Sequence, residues 1–155
     1  MALRTIITEE DERLRKKSRP VTDFGARTQE QIDDLIDTLA NTGNGIGLAA
    51  VQIGLLKRMF IVNIEDEGGL RVYVNPEIIE TRGEQINTEG CLSIPNYWGE
   101  VKRPEWIKVR AQDRHGETFE LEAEGLLAIC ICHENDHLDG VLFTDKLEGE
   151  LTYVE

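Results

Sequence analysis

Thirteen residues, Gly125-Leu126-Leu127-Ala128-Ile129-Cys130-Ile131-Cys132-His133-Glu134-Asn135-Asp136-His137, constrain this chain more than any other stretch. They end in H-E-x-x-H. On an α-helix His133 and His137 lie one turn apart on one face, so both imidazoles can meet one metal ion. Glu134 falls about 100° further round the helix. That placement is poor for a third ligand and suits a base acting on metal-bound water. The apolar run leading into the motif predicts a buried helix, opened by Gly125 and ended near Gly140.

The rest of the chain sets the frame for that helix. Its 155 residues suffice for one domain, 1–155, with a real core. A net charge of −13 argues against nucleic acid as a partner, because phosphates would be repelled. No apolar run approaches the roughly 20 residues that span a bilayer. Met1 to Pro20 is charged and lacks the apolar stretch of a secretory signal. The three cysteines are an odd number, and Cys130 and Cys132 share one helix. A reducing cytoplasm is therefore expected rather than a disulfide framework.

Periodicity supplies the remaining elements. Ile6 and Ile7 end a short strand or an extended arm. The basic run Leu14 to Pro20 reads as a solvated face, extended at Arg19 before Pro20. Ile32, Leu35, Ile36 and Leu39 mark an amphipathic helix over Thr28 to Asn41. Thr28 and Gln31 fit a capping box, and Gly43 fits a stop. Gly45 to Gly54 is rich in small residues but lacks a phosphate-loop pattern. It reads as a strand-to-loop transition or as a place of close backbone approach. Strands are expected at Arg58–Ile64, Arg71–Asn75 and Ile78–Thr81, with Gly68-Gly69 turning between the first two. Glu89 to Pro95 reads as irregular. Trp106–Ala111 and Thr118–Ala123 form a hairpin closed by Asp113-Arg114-His115-Gly116. Leu142, Phe143 and Leu147 form a last packing segment. The fold class is α+β, with antiparallel or mixed sheets around the central H-E-x-x-H helix.

A catalytic site of this kind uses three protein ligands and keeps one position open. The Gly-x-x-His continuation of one protease class is broken, because Phe143 stands where its third histidine would be. Only eighteen residues follow His137, which leaves little room for a ligand on a later helix. Upstream, His115 sits in a turn. Cys130 lies about 10 Å along the helix axis from His137, too far to share an ion. Cys132 points to another face and reads as a small buried apolar residue. Elimination favours Cys91, which would complete a Cys-His-His site.

Three segments then match one family together. Gly45-Ile46-Gly47-Leu48-Ala49-Ala50-Val51-Gln52, Glu89-Gly90-Cys91-Leu92-Ser93 and His133-Glu134-Asn135-Asp136-His137 resemble, in order, the signature motifs of peptide deformylases of bacterial type. The likeness runs through nearly the whole chain. It implies a metallohydrolase that removes the N-formyl group from the formyl-methionine of nascent polypeptides and releases formate. By position, Cys91, His133 and His137 would bind the metal, and Glu134 would be the acid/base. Gln52 and the Leu92 backbone N–H would face the formyl oxygen. Gly45, Ile46 and Gly47 would border the peptide, and Leu126, Ile129 and Cys130 would help form the methionine pocket. The resemblance implies one divalent ion, commonly Fe2+, with Ni2+, Co2+ or Zn2+ also able to serve.

Two features depart from the family pattern. Cys132 replaces a glutamine that usually precedes the first histidine, so a working but altered site is expected. The chain also stops soon after the third motif, as in short forms of phages and organelles. A monomer without ribosome docking through a C-terminal helix is the expectation. Two rival readings are another H-E-x-x-H hydrolase and a non-catalytic metal- or peptide-binding module. The first leaves Gln52 and Cys91-Leu92 unexplained, and the second leaves Glu134 unexplained. Tyr97 and Trp98 read either as the cleft rim or as hairpin packing. Glu89 and Arg103 are candidates for a pair that braces the Cys91 segment.

Overall fold

The computed structural model describes residues 3–65 and 68–154. Among these, a five-stranded sheet has the order β1-β2-β3-β6-β7, formed by Gly47–Ala49, Met59–Ile64, Gly69–Arg82, Trp106–Gln112 and Thr118–Glu124. A three-stranded sheet has the order β4-β5-β8, formed by Gln85–Cys91, Ile94–Arg103 and Thr152–Tyr153. Every strand pairing is antiparallel, so the mixed alternative does not arise. Helix α1 is Ala26–Thr42 and helix α2, which carries the metal-type motif, is Gly125–Leu138.

Strand β2 explains how the layers hold together. Successive side chains of a strand point to opposite faces. Met59 and Ile61 join Ile32, Leu35 and Leu39 of α1 in one core. Phe60, Val62 and Ile64 join Ala128, Ile131 and Leu138 of α2 in the other. A strand covered on both sides reads as a continuous apolar run, as Met-Phe-Ile-Val does. Helix α2 touches both sheets, packing on β1, β2 and β7 of one and β5 of the other. It is accordingly buried almost all round.

Several expectations hold. Ile7 lies in an extended arm whose N–H donates to the Gln52 carbonyl at 2.8 Å. Arg19, extended before Pro20, bridges to Lys57. Gly43 closes α1 in the left-handed region at φ 76°. The β6–β7 hairpin turns through Asp113 to Gly116.

Other expectations are corrected. Helix α1 begins two residues before Thr28, with Gly25 as its cap and no side-chain capping bond. The Thr28 hydroxyl donates instead to the Asp23 carbonyl, and Gln31 accepts from Lys57, so the capping box does not form. The two strands expected at Arg71–Asn75 and Ile78–Thr81 are one strand, β3. Pro76 has no N–H to give the ladder, and Asn75 stands at φ 49° beside it. The register shifts there, so the strand bulges and continues. The Asn75 side chain is tied by bonds to both the N–H and the carbonyl of Val21. The segment expected to be irregular, Glu89 to Pro95, is the closed end of the β4–β5 hairpin, with Leu92 and Ser93 as its turn.

Candidate metal centre

Gly125, at φ 61°, turns the chain from β7 into α2. Two turns further on, His133 and His137 project from one face with ring centroids 5.1 Å apart. Cys91 approaches from the end of β4. The register slips between Glu89 and Cys91, and a bulge of this kind re-aims the side chain that follows. Cys91 Sγ stands 3.4 Å from His137 Nε2. The ligand atoms of Cys91, His133 and His137 lie within 4.8 Å of one another. A sulfur and a nitrogen sharing a tetrahedral ion would be separated by about 3.5 Å. One thiolate and two imidazoles are also a ligand set suited to a catalytic site with an open position.

Buried charges orient this triad. Glu89 Oε1 lies 2.9 Å from His133 Nδ1, which leaves Nε2 of that ring for an ion. Arg103 donates to both oxygens of Glu89, at 2.8 and 2.9 Å, and its Nη1 donates to Asp136 at 2.6 Å. Glu89 and Arg103 are thus a buried bidentate pair. Burial alone would raise the pKa of Glu89, but the hydrogen bonds from Arg103 and then His133 outweigh it and hold the group at about 2. Burial opposes charge on His133, yet Cys91 and Glu89 keep its pKa well above the ordinary histidine value. Burial, followed by the charge of His133, pushes His137 well below that value.

Glu134 is buried too, and burial lifts its pKa to about 7. Its Oε1 has no protein hydrogen-bond partner, which fits a carboxylate aimed at a ligand. Gln52 sits on a short 3-10 turn, Ala50–Ile53. Its Oε1 accepts from the Ala49 N–H at 2.9 Å, and its Nε2 donates to Ser93 Oγ at 3.0 Å and towards Cys91 Sγ at 3.6 Å. The amide is therefore fixed with its nitrogen between Ser93 Oγ and Cys91 Sγ.

Comparison with known proteins gives the chain a family. Residues 3–152 match the family model described as Polypeptide deformylase. A peptide deformylase of Caldicellulosiruptor bescii is 56% identical over 147 residues, covering 95% of this chain and 87% of its own. The Clostridium acetobutylicum protein called peptide deformylase 2 is 50% identical over 145 residues, covering 94% of this chain and 95% of its own. The chain belongs to the polypeptide deformylase family. Solved structures agree. A peptide deformylase from Legionella pneumophila superposes with TM-score 0.91 at 45% identity, over 95% of this chain and 87% of that one. One from Thermotoga maritima does so with TM-score 0.91 at 37% identity, over 96% and 100%.

A cleft of about 570 Å³ opens beside the triad and is lined by Gly45, Ile46, Gly47, Gln52, Leu92, Leu126, Ile129 and Cys130 together with His133 and Glu134. Every residue singled out for substrate contact therefore borders one cleft. Ile46 and Leu126 stand exposed at its mouth, and Ile129 and Cys130 are buried within it. Tyr97 and Trp98 line it as well while pairing with β8, so the rim and packing readings both apply. His115 is exposed in its turn, and neither it nor Cys130 joins the ligand group. Cys132 is buried in the α2 core, where burial pushes its thiol up to about 11. The sequence reading missed Ser93, Asp136 and Phe143. Phe143 stacks on His133 at 6.1 Å, and only its place in a late apolar segment pointed to it. Asp136 and Ser93 stand within the quoted motifs, but nothing in the sequence pointed to their partners, Arg103 and Gln52.

Proposed function

We propose that this chain hydrolyses the formamide of formyl-methionyl peptides with Cys91, His133 and His137 holding one divalent ion, Glu134 as acid/base, and Gln52 with the Leu92 N–H as oxyanion donors. The observation that carries the assignment is the convergence of one thiol and two imidazoles beside a buried carboxylate oxygen that has no protein partner. A divalent ion held there supplies Lewis-acid polarisation and lowers the pKa of water. The protein's own groups then have separable tasks. Glu134, lifted towards neutrality by burial, takes the proton of the attacking water and returns it to the departing amine. The Gln52 amide, fixed through Ala49 and Ser93, offers its donor where charge gathers on the formyl oxygen. Glu89 and Arg103 fix the ring of His133. The apolar surface of Leu126, Ile129 and Cys130 receives the methionine side chain.

Formylated amino termini of nascent chains are the substrate in this reading, and Fe2+ is the native ion, held by the soft thiolate and two imidazoles. The catalytic unit is the single chain of one domain, since triad, base and cleft all come from it. Among the described residues no helix is long and apolar enough to cross a membrane. A cytoplasmic place, where nascent chains emerge and thiolates stay reduced, suits the three free cysteines. Formate release from formyl-Met-Ala, with protein prepared without oxygen and loaded separately with Fe2+, Ni2+ and Zn2+, tests the proposal. Glu134→Ala should lower kcat by about 100-fold or more while the ion stays bound. Release of formate by that variant at the wild-type rate would remove Glu134 from the mechanism.

A further inference from the structure

Resting on the deformylase reading, we propose that the N-terminal arm, residues 4–9, is a positioning element for the reaction: its backbone holds Gln52 and Ser93 at a fixed spacing and so keeps the Gln52 amide aligned as a donor. Gln52 and Ser93 belong to separate parts of the fold, the 3-10 turn after β1 and the turn of the β4–β5 hairpin. The arm runs between them. The Ile7 N–H donates to the Gln52 carbonyl at 2.8 Å, and the Glu9 N–H donates to the Ser93 carbonyl at 3.0 Å. Ser93 Oγ in turn accepts from the Gln52 amide.

The arm is anchored at both ends. At its start the Arg4 N–H donates to Thr38 Oγ1 at 3.0 Å, and the Arg4 guanidinium meets the buried carboxylate of Asp34 at 2.7 and 2.8 Å. Beyond its end Leu14 is fully buried in the core on the α2 side. Between these anchors Ile6 packs on the α1-side core and Ile7 on the α2-side core, as neighbours in an extended chain do. Two residues of such a chain measure about 6.6 Å, so the donors at positions 7 and 9 set the separation of the carbonyls they hold. Gln52 and Ser93 are 1% and 0% exposed, so a carbonyl released by the arm has no water to turn to.

An oxyanion donor stabilises charge only where it is already aligned, and a displacement of about 1 Å far from the chemistry can cost about 100-fold. The metal-type ligands are held by other means. His133 is fixed by Glu89, and Cys91 pairs with Ile94 across the hairpin. Loosening the arm should therefore act on the Gln52 amide and spare the ion.

Position 9 permits a clean test. Thr8 to Asp11 form a turn, closed by the Asp11 N–H on the Thr8 carbonyl at 2.9 Å. Glu9 is its second residue, where proline is favoured. Glu9→Pro thus removes the bond to Ser93 and keeps the turn, whereas Glu9→Ala keeps both. With formyl-Met-Ala and Ni2+-loaded protein, Glu9→Pro should lower kcat by about tenfold with KM and bound metal unchanged, and Glu9→Ala should behave as the wild type. In the Gln52→Ala background the same proline should cause no further loss, because the amide it positions is gone. The Gln52 side-chain amide signals in 15N spectra of Zn2+-loaded protein should move in Glu9→Pro and stay in place in Glu9→Ala. An equal loss in both backgrounds would show a merely structural role and overturn the proposal. Wild-type kcat in Glu9→Pro, or amide signals that do not move, would overturn it as well. Arg4→Ala frees the start of the arm and should repeat the dependence on Gln52, so the proposal stays refutable even if Glu9→Pro does not fold. Failure of the wild type to release formate would sink the deformylase reading itself, while the amide signals would still decide the role of the arm.

Discussion

At the scale of single residues, the two histidines and Glu134 were legible because a helical period fixes their relation, and Cys91 followed by elimination. What sequence could not show is why Gly47 is a glycine. An added Cβ would stand 2.6 Å from Glu134 Oε2, on a residue 87 positions away in the chain, so the reason exists only after folding. Gly47 lies in a strand and its backbone accepts any residue, so the constraint is space rather than conformation. Gly47→Ala should therefore displace the Glu134 carboxylate and lower kcat/KM by about 100-fold with metal content unchanged. Peptide kinetics beside metal analysis on the same sample checks this. A loss of bound metal in step with activity would place the damage at the ligands instead. The role of Ser93 was equally hidden, since nothing in its neighbourhood announces that its hydroxyl accepts from Gln52.

At the scale of elements, helices were easier to read than the β4–β5 hairpin, and the reason is chemical. Strand β4, Gln-Ile-Asn-Thr-Glu-Gly-Cys, has no alternating apolar face. Its large apolar residue, Ile86, is exposed, and its buried side chain is Glu89. The hairpin is fastened by the charge pair of Glu89 and Arg103, which hydropathy cannot register. Arg103→Met should leave a buried carboxylate without its cation and cost about 3–5 kcal/mol of stability. It should also weaken metal binding by about 10–100-fold, because Glu89 would no longer be fixed against His133. Urea unfolding and competition with a chelator measure the two effects. Adding Glu89→Gln should recover part of the stability, since the two residues act as one unit. Strand β3 was divided in the sequence reading for a different reason. Pro76 normally stops a central strand, and only the bulge at Asn75 lets this one pass.

At the scale of the whole molecule, the α+β class was readable from the order of strands and helices. The division of the interior into two cores around β2 was not, because an apolar run alone does not reveal which element covers each face. The core on the α2 side makes a prediction for alkaline solution. Tyr73 lies across from Phe60, stacked at 4.9 Å, and tilted against Phe119 at 5.9 Å. Burial pushes its pKa up to about 12, from an ordinary value near 10. A group whose pKa is higher in the folded state supports folding fully below its unfolded pKa. That support fades as pH rises through the folded pKa. Between pH 9 and 11 the wild type should therefore lose about 1.4 kcal/mol through this ring alone. Tyr73→Phe lacks the phenol and should lose that much less over the same interval, although lysines ionise in both proteins. Urea unfolding of the pair at pH 9 and 11 isolates the difference. Equal losses would mean that the phenol ionises as easily in the folded core as in the unfolded chain, which a ring packed between two aromatic neighbours does not allow.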